Sequence, residues 1–217
     1  MLKLTQPCLM LITDSSLRPG ASLEDTVTKA VAGGVHAVQL REKSMPGGEL
    51  LQLAQRLRII TEGKALLMIN DRADIAVACD ADGVQLPGNG LPPKVARLVT
   101  GRDVLIGCSV HSLQGALNAQ RAGANYLILG TIFPSRSHPE GPASGPDLLK
   151  EVCQAVSIPV LAVGGITKDN IAEVIESGAA GAAVISAILD SVDPRAETDV
   201  LVRAMTQSWA KTITRAT

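Results

Sequence analysis

The chain has 217 residues, of which 46% are hydrophobic and 19% are charged, and its formal net charge at pH 7 is -1. This length suits one domain with a sizeable core. The balanced charge, without a basic run among aromatic residues, argues against nucleic acid and anionic membranes as partners. No apolar stretch approaches the roughly 18 residues of a membrane span. The opening residues lead into a strand without a cleavage region, so we expect a cytoplasmic protein.

Cysteine spacing and aromatic content narrow the class of protein further. The four cysteines, Cys8, Cys79, Cys108 and Cys153, are widely separated and form no CxxC pair. Neither a zinc site nor a disulfide framework is indicated, and we expect reduced thiols. Because Trp, Tyr and Phe occur once each, the core must be built from Val, Ile, Leu and Ala, which suits buried parallel strands.

Short apolar runs alternate with longer amphipathic segments along the whole chain, which is the pattern of repeated βα units. We therefore predict the α/β class and a single (β/α)8 TIM barrel formed by residues 1–217, without a domain boundary. The eight strands are expected near residues 9–13, 37–41, 65–69, 83–86, 105–107, 126–129, 159–163 and 182–185.

The segments between these strands place apolar residues at spacings of three and four, as helices with one buried face require. Helices are expected over residues 23–32, 48–61, 71–78, 92–98, 113–122, 171–177 and 194–214. One long connection, residues 134–145, is instead rich in Pro, Ser and Gly and follows the sixth strand. Loops of this length in a barrel are usually functional, so we predict an active-site lid.

The last two strands each end in small residues at the start of a helix, which predicts a cup for a phosphate group. The seventh strand leads to Gly165, after which Thr167 or Asp169 can cap a helix that begins near Asn170. The eighth strand leads to Ser186. Loops after strands seven and eight of a barrel present backbone N–H groups to anions, so a phosphorylated small molecule is the first ligand to consider. Tight strand-to-helix turns of any α/β protein are the alternative.

Polar residues at the end of the second strand predict a polyphosphate site. Strand alternation would place Gln39, Arg41 and Lys43 on one side, which brings together an amide and two cations. Glu42 is interpreted as a solvated charge. Catalytic side chains of such barrels come from the carboxyl ends of the strands, so this cluster lies where chemistry is expected.

Three further strand ends carry side chains for which a ligand-binding and a structural role stay open. Asp71 follows the third strand and can bind a divalent ion or cap the next helix, the commoner role. Ser109 follows the fifth strand and can bond a ligand or, with Ser112, cap the fifth helix. His111 is as readily structural as chemical, and His36, which precedes a strand, is assigned to the opposite face.

These motifs together resemble the thiamine phosphate synthase family, which includes a thiazole tautomerase branch, and the resemblance covers nearly the full chain. Each motif is weak alone, but their order and spacing are specific. They are LITD (11–14), VQLREK (38–43), INDR (69–72), ADGVQL (81–86), IGCSVHS (106–112), GTIFPS (130–135), VGGI (163–166) and ISAI (185–188).

The resemblance implies a transferase of thiamine biosynthesis that joins hydroxymethylpyrimidine diphosphate to thiazole phosphate and releases diphosphate. It implies that Lys43, Arg41 and Ser109 are catalytic and that Asp71 binds Mg²⁺. The implied chemistry is dissociative and needs cations and a metal rather than a protein nucleophile. The implied substrate-binding residues are Gln39, Arg41, Lys43, Asn70, Ser109, the lid residues Ser135, Ser137 and His138, and the cup residues Gly165, Ile185 and Ser186.

The chain departs from the family pattern at a few positions, which keep two alternatives open. Gly90 stands where synthases usually have an Asp as second metal ligand, and His138 stands where they have a lid Lys. The VQLP sequence at residues 84–87 resembles the tautomerase branch, but Thr131 stands where that branch has a catalytic His. A tautomerase-like isomerase and a noncatalytic binder of thiazole phosphate or thiamine phosphate are therefore the alternatives to a synthase. The sequence leaves the oligomeric state, including a homo-oligomer, open.

Overall fold

Eight parallel strands form a closed barrel in chain order, in a computed structural model that describes residues 3–135 and 143–216. The fold predicted from the sequence is confirmed. The strands are β1 (Cys8–Ile12), β2 (Ala37–Leu40), β3 (Leu66–Asn70), β4 (Gly83–Leu86), β5 (Leu105–Val110), β6 (Tyr126–Gly130), β7 (Val160–Val163) and β8 (Gly181–Val184). Met10 of β1 pairs with Ala37 of β2 on one side and with Ala183 of β8 on the other, which closes the barrel.

Helices follow the strands and pack on the outside of the barrel. They are α1 (Leu23–Ala32), α2 (Gly47–Thr61), α3 (Ala73–Ala78), α4 (Pro93–Thr100), α5 (Leu113–Arg121), α6 (Gly145–Ala155), α7 (Ile171–Glu176), α8 (Ser186–Leu189) and α9 (Pro194–Ala216). No helix of the described residues is both long enough and apolar enough to span a membrane.

One helix, α6, was not expected from the sequence, whereas the helix start predicted at Ser186 is confirmed by α8. α6 begins at Gly145, inside the stretch predicted as a lid, and Pro146 occupies its first turn, where a missing N–H costs nothing. Pro and Gly therefore mark the start of a helix there rather than the end of a loop. α8 has four residues, which is too short to show a helical period. Residues 136–142 of the predicted lid lie outside the described residues.

The strand bounds differ from expectation at two positions that matter for the site. β5 extends to Val110, so Ser109 lies inside the strand and pairs with Ile128 of β6. β2 ends at Leu40. The Arg41 N–H donates to the Thr13 hydroxyl at 2.9 Å rather than to a neighbouring strand, so the chain leaves the sheet at that residue.

Apolar side chains fill both faces of the sheet, as expected for strands that are buried on both sides. One buried cluster lies between the strands and helices and includes Leu9 and Leu11, whereas Met10, Met68 and Tyr126 belong to a second cluster. Residues of β1 thus alternate between the two clusters, as the period of a strand requires. Each fully buried large side chain contributes about 1.5–3 kcal/mol to folding.

The cysteine thiols and His36 have structural rather than chemical roles. The four cysteines are unpaired, and burial raises the pKa of Cys8 to about 12 and those of Cys108 and Cys153 to about 11. These three thiols therefore stay protonated at neutral pH and supply no thiolate nucleophile. The Leu9 N–H donates to Nδ1 of His36 at 3.1 Å, which ties the residue before β2 to β1.

Candidate functional site

A cavity of about 880 Å³ opens at the carboxyl ends of the strands, where barrel enzymes bind their substrates. Ten of the twelve residues predicted to be catalytic, to bind substrate or to bind a metal line this cavity, and the other two, Ser137 and His138, lie outside the described residues. The ten are Gln39, Arg41, Lys43, Asn70, Asp71, Ser109, Ser135, Gly165, Ile185 and Ser186.

Gln39 and Asn70 form a polar pair at the floor of the cavity. The Gln39 side chain is buried, and its Nε2 donates to Oδ1 of Asn70 at 3.0 Å. Its Oε1 is buried and has no hydrogen-bond partner among the described residues. Because a buried polar atom without a partner is costly, this oxygen is suited to accept a hydrogen bond from a ligand.

Ser109 faces the same cavity from β5 and receives a hydrogen bond from Gln85 of β4. The Gln85 Nε2 donates to Oγ of Ser109 at 3.0 Å. Helix α5 is capped by Ser112, whose hydroxyl accepts from the N–H of Gly115 at 3.1 Å. Of the two roles left open for Ser109, capping is therefore excluded.

A hydrogen-bonded network holds Arg41 at the edge of the cavity. Nη1 of Arg41 lies 3.3 Å from Oδ2 of Asp14. The Glu42 carboxylate accepts from the Thr13 hydroxyl at 2.7 Å, and from the N–H and hydroxyl of Ser15 at 3.1 and 2.6 Å. The interpretation of Glu42 as a solvated charge is wrong, because its side chain fastens the loop after β1 to the loop after β2.

Replacing Glu42 with alanine is expected to lower the free energy of unfolding by about 2 kcal/mol, because hydrogen bonds to charged groups are worth about 1.5–3 kcal/mol and three donors lose their acceptor. Urea denaturation measures the change. Glu151→Ala is the matched control, since Glu151 lies exposed on α6. Equal unfolding energies for the two variants would show that the network contributes nothing.

Lys43 reaches the cavity from a turn rather than from a strand. Strand alternation does not determine the side-chain directions of Arg41 and Lys43, because β2 ends before both residues. Lys43 lies instead in a turn, in which the Met45 N–H donates to the Glu42 carbonyl at 3.2 Å. Lys43 is exposed, lines the cavity and forms no ion pair within residues 3–135 and 143–216. Its ammonium group is therefore available to an anionic ligand.

Asp71 also lines the cavity, in a conformation that excludes the capping role. Its φ is 63°, and its N–H donates to the carbonyl of Gln85 at 2.8 Å. Helix α3 starts later than predicted, at Ala73, with Arg72 at the N-cap position and no side-chain cap. A left-handed backbone is unfavourable for a residue with a side chain, and such strain concentrates at functional sites.

The position beside Asp71 is occupied by Gly90. A Cβ atom added to Gly90 would lie 2.8 Å from Oδ1 of Asp71 and 2.8 Å from Cδ of Pro87. Among the described residues, no group of three or more His, Cys, Asp and Glu could hold a metal ion. The Asp71 carboxylate, with Asn89 at the same cavity, fits Mg²⁺, which keeps several waters and often takes one or two carboxylates plus substrate phosphates.

The predicted phosphate cup lies at the ends of β7 and β8. Gly164 and Gly165 have φ values of 103° and 61°, which favour glycine. A Cβ atom on Gly165 would lie 2.8 Å from Cβ and 2.9 Å from the carbonyl oxygen of Phe133. The Gly165 carbonyl accepts from Nδ2 of Asn170 at 2.9 Å. Gly165 lines the cavity without a side chain, which lets an anion approach its backbone closely.

The capping predicted for the helix after this cup is wrong. Asn170 occupies the N-cap position of α7 without a side-chain cap, and the Thr167 hydroxyl accepts from the Asp169 N–H at 3.3 Å instead. On the other side of the cup, Ile185 precedes α8 and Ser186 begins it. N–H groups in a first helical turn have no intrahelical acceptor, so that of Ser186 can bind an anion.

His111 and Thr131 lie on the same cavity. Nδ1 of His111 is 2.5 Å from the carbonyl oxygen of Gly130. Because a carbonyl oxygen only accepts, Nδ1 of His111 carries a hydrogen and donates it to Gly130. The structural role of His111 is thereby defined, and a chemical role at Nε2 stays open.

Sequence reasoning missed Gln85. This residue is a buried amide within an apolar strand run, as Gln39 is. Gln39 was selected because strand alternation aligned it with Arg41 and Lys43, and no such charged residues follow Gln85. An amide within an apolar run is the signal that could have indicated Gln85.

The chain matches a known protein family. Residues 9–188 match the thiamine monophosphate synthase family. A thiamine-phosphate synthase from Syntrophomonas wolfei is 42% identical over 207 residues, which cover 94% of this chain and 96% of that protein. One from Pyrococcus furiosus is 41% identical over 194 residues, which cover 89% of this chain and 92% of that protein. A solved thiamine phosphate pyrophosphorylase from Pyrococcus furiosus has a TM-score of 0.85 at 39% identity and covers 93% of this chain and 96% of its own.

Proposed function

The chain belongs to the thiamine monophosphate synthase family, and we propose on that premise that it is a thiamine-phosphate synthase. It is a transferase that joins hydroxymethylpyrimidine diphosphate to thiazole phosphate and releases diphosphate. The observation that carries the proposal is the cavity, which has Arg41, Lys43 and Asp71 on one side and the cup of Gly165 and Ser186 on another. Two differently phosphorylated substrates need two such regions.

The pyrimidine and its diphosphate are assigned to the side formed by β2, β3 and β5. Gln39, Asn70 and Ser109 hold the ring, and Arg41 and Lys43 bind the diphosphate oxygens. Asp71 would hold Mg²⁺. When bound, this ion supplies positive charge that neutralises the leaving group. Cations in a cavity stabilise the charge that develops as diphosphate departs, which is commonly the largest contribution to catalysis.

The thiazole phosphate is assigned to the cup formed by Gly165, Ile185 and Ser186, next to Ser135. The bond between the methylene carbon and the diphosphate oxygen breaks, and its electron pair leaves with diphosphate. The pyrimidine ring stabilises the resulting methylene cation. The lone pair of the thiazole nitrogen then forms the new C–N bond. No protein nucleophile is needed, and the protein's contribution is to bind, orient and exclude water.

One experiment separates the proposal from its alternatives. Diphosphate release and thiamine phosphate formation are measured after both substrates are mixed with Mg²⁺, and then with each substrate alone. Formation of the product supports the synthase. Isomerisation of the thiazole phosphate alone, without product, would support the tautomerase, and tight binding without any reaction would support the binder. A cytoplasmic location is part of the proposal, and cell fractionation tests it.

Placing a second carboxylate beside Asp71 is expected to lower the Mg²⁺ concentration needed for half-maximal activity on the order of tenfold, because affinity rises with the charge of the ligand set. Gly90→Asp makes this change. The φ of Gly90 is not in the left-handed range, so the backbone accepts a side chain, although Pro87 and Asp71 must shift slightly. Titration of Mg²⁺ against diphosphate release measures the requirement. Gly90→Ala controls for the added Cβ, and equal requirements in both variants would contradict the prediction.

A further inference from the structure

A layer of buried polar side chains lies beneath Ser109, and the proposed reaction does not account for it. Gln85 of β4 and Tyr126 of β6 are both completely buried. The Gln85 Nε2 donates to Ser109, whereas Gln85 Oε1 and the Tyr126 hydroxyl have no hydrogen-bond partner among the described residues. Each buried polar atom without a partner lowers the free energy of unfolding by about 1–3 kcal/mol, so these polar side chains do not serve stability.

Gln85 Oε1 and the Tyr126 hydroxyl both lie beside Gly107 of β5, where a side chain would be. A Cβ atom added to Gly107 would collide with Oε1 of Gln85 and would lie 2.5 Å from the Tyr126 hydroxyl. The absence of a side chain at Gly107 therefore leaves room for the Gln85 amide and the Tyr126 phenol inside the barrel. Burial raises the pKa of Tyr126 well above its usual value, so the hydroxyl keeps its hydrogen at neutral pH.

We propose that Gln85 is a positioning residue for Ser109 and that it directs the Ser109 O–H into the cavity. The Gln85 amide is completely buried, with its Nε2 directed at Oγ of Ser109. Ser109 then accepts from Gln85 and cannot donate back, because the NH₂ group of an amide is only a donor. Its own hydrogen is left for an acceptor atom of the ligand. This inference rests on the proposed function, which places Ser109 at the substrate.

A double-mutant cycle tests whether Gln85 acts through Ser109. Gln85→Met keeps the size of the side chain and removes the donor, and we expect kcat/KM to fall on the order of tenfold, as for a lost hydrogen bond. In a Ser109→Ala background the same change should have little further effect, because the group that Gln85 orients is absent. Met68→Leu, a change in the buried cluster that contains Tyr126, is the control and should retain the wild-type kcat/KM. An equal loss from Gln85→Met in both backgrounds would overturn the proposal.

The pH profile of Gln85→Glu provides a readout that a packing defect does not produce. An ionised glutamate would accept the Ser109 hydrogen and turn it away from the ligand, whereas a protonated glutamate can donate to Ser109 as the amide does. Activity relative to the wild type should therefore rise as the pH falls through the pKa of the new carboxyl, which burial raises. A ratio independent of pH would count against the proposal.

The wild type is assayed first, so that two kinds of failure remain distinct. A wild type that forms no thiamine phosphate would overturn the proposed function. A wild type that forms the product, together with a Gln85→Met variant of unchanged kcat/KM, would overturn the role of Gln85 alone. If Gln85→Met does not fold, the pH profile of Gln85→Glu decides.

Discussion

Lys43→Ala is expected to lower kcat on the order of 100-fold, because losing one preorganised charge contact to a developing anion commonly costs that much or more. Lys43 lines the cavity from an exposed turn. The neighbouring cation, Arg41, is already paired with Asp14 at 3.3 Å. Lys43 therefore brings to this side of the cavity a charge that no described carboxylate neutralises, and the leaving diphosphate is its expected partner.

Steady-state kinetics with both substrates measure the change in kcat. The inhibition constant of inorganic diphosphate measures the contact between Lys43 and diphosphate separately. Lys64→Ala is the matched control, since it removes the same charge from an exposed residue that precedes β3 at the opposite end of the barrel. If the two variants have equal turnover, Lys43 is only a surface charge and the assignment is wrong.

The barrel could be predicted from the sequence because apolar runs and helical spacing are local signals. β4 and α1 begin and end at the residues expected from the sequence. α6 was missed because its first turn contains Gly145 and Pro146, which also signal a loop. The end of β5 was missed because Ser109 interrupts an apolar run, although its side chain faces the barrel cavity.

The contents of the site could be predicted better than its geometry. Lys43 and Arg41 line the cavity as expected, but the turn after β2 places them, not the alternation of a strand. The role of Glu42 depends on Thr13 and Ser15, nearly 30 residues earlier in the chain. The proximity of Gly90 to Asp71 also arises from two separate loops. Contacts between loops depend on the closed barrel, and no periodicity in the sequence records them.

Gly165→Val is expected to weaken binding of the thiazole phosphate on the order of 100-fold, through the loss of charge-assisted hydrogen bonds from the cup. The residue has a φ of 61°, and a Cβ atom there would lie 2.8 Å from Cβ of Phe133. The added side chain must therefore displace either the loop that carries Ser135 or the Gly165 backbone itself. Either movement removes N–H groups from the position that a phosphate would occupy.

Affinities for both substrates, measured separately by calorimetry, test the assignment of the cup. The pyrimidine diphosphate should lose much less affinity, because Arg41 and Lys43 lie in the turn after β2, away from the ends of β7 and β8. Gly123→Val is the control for backbone strain, since Gly123 has a φ of 95° with open space around it and precedes β6. It should lower stability without changing either affinity. Equal losses for the two substrates in a folded Gly165→Val variant would mean that Gly165 shapes the cavity as a whole, and the phosphate would then have to bind elsewhere.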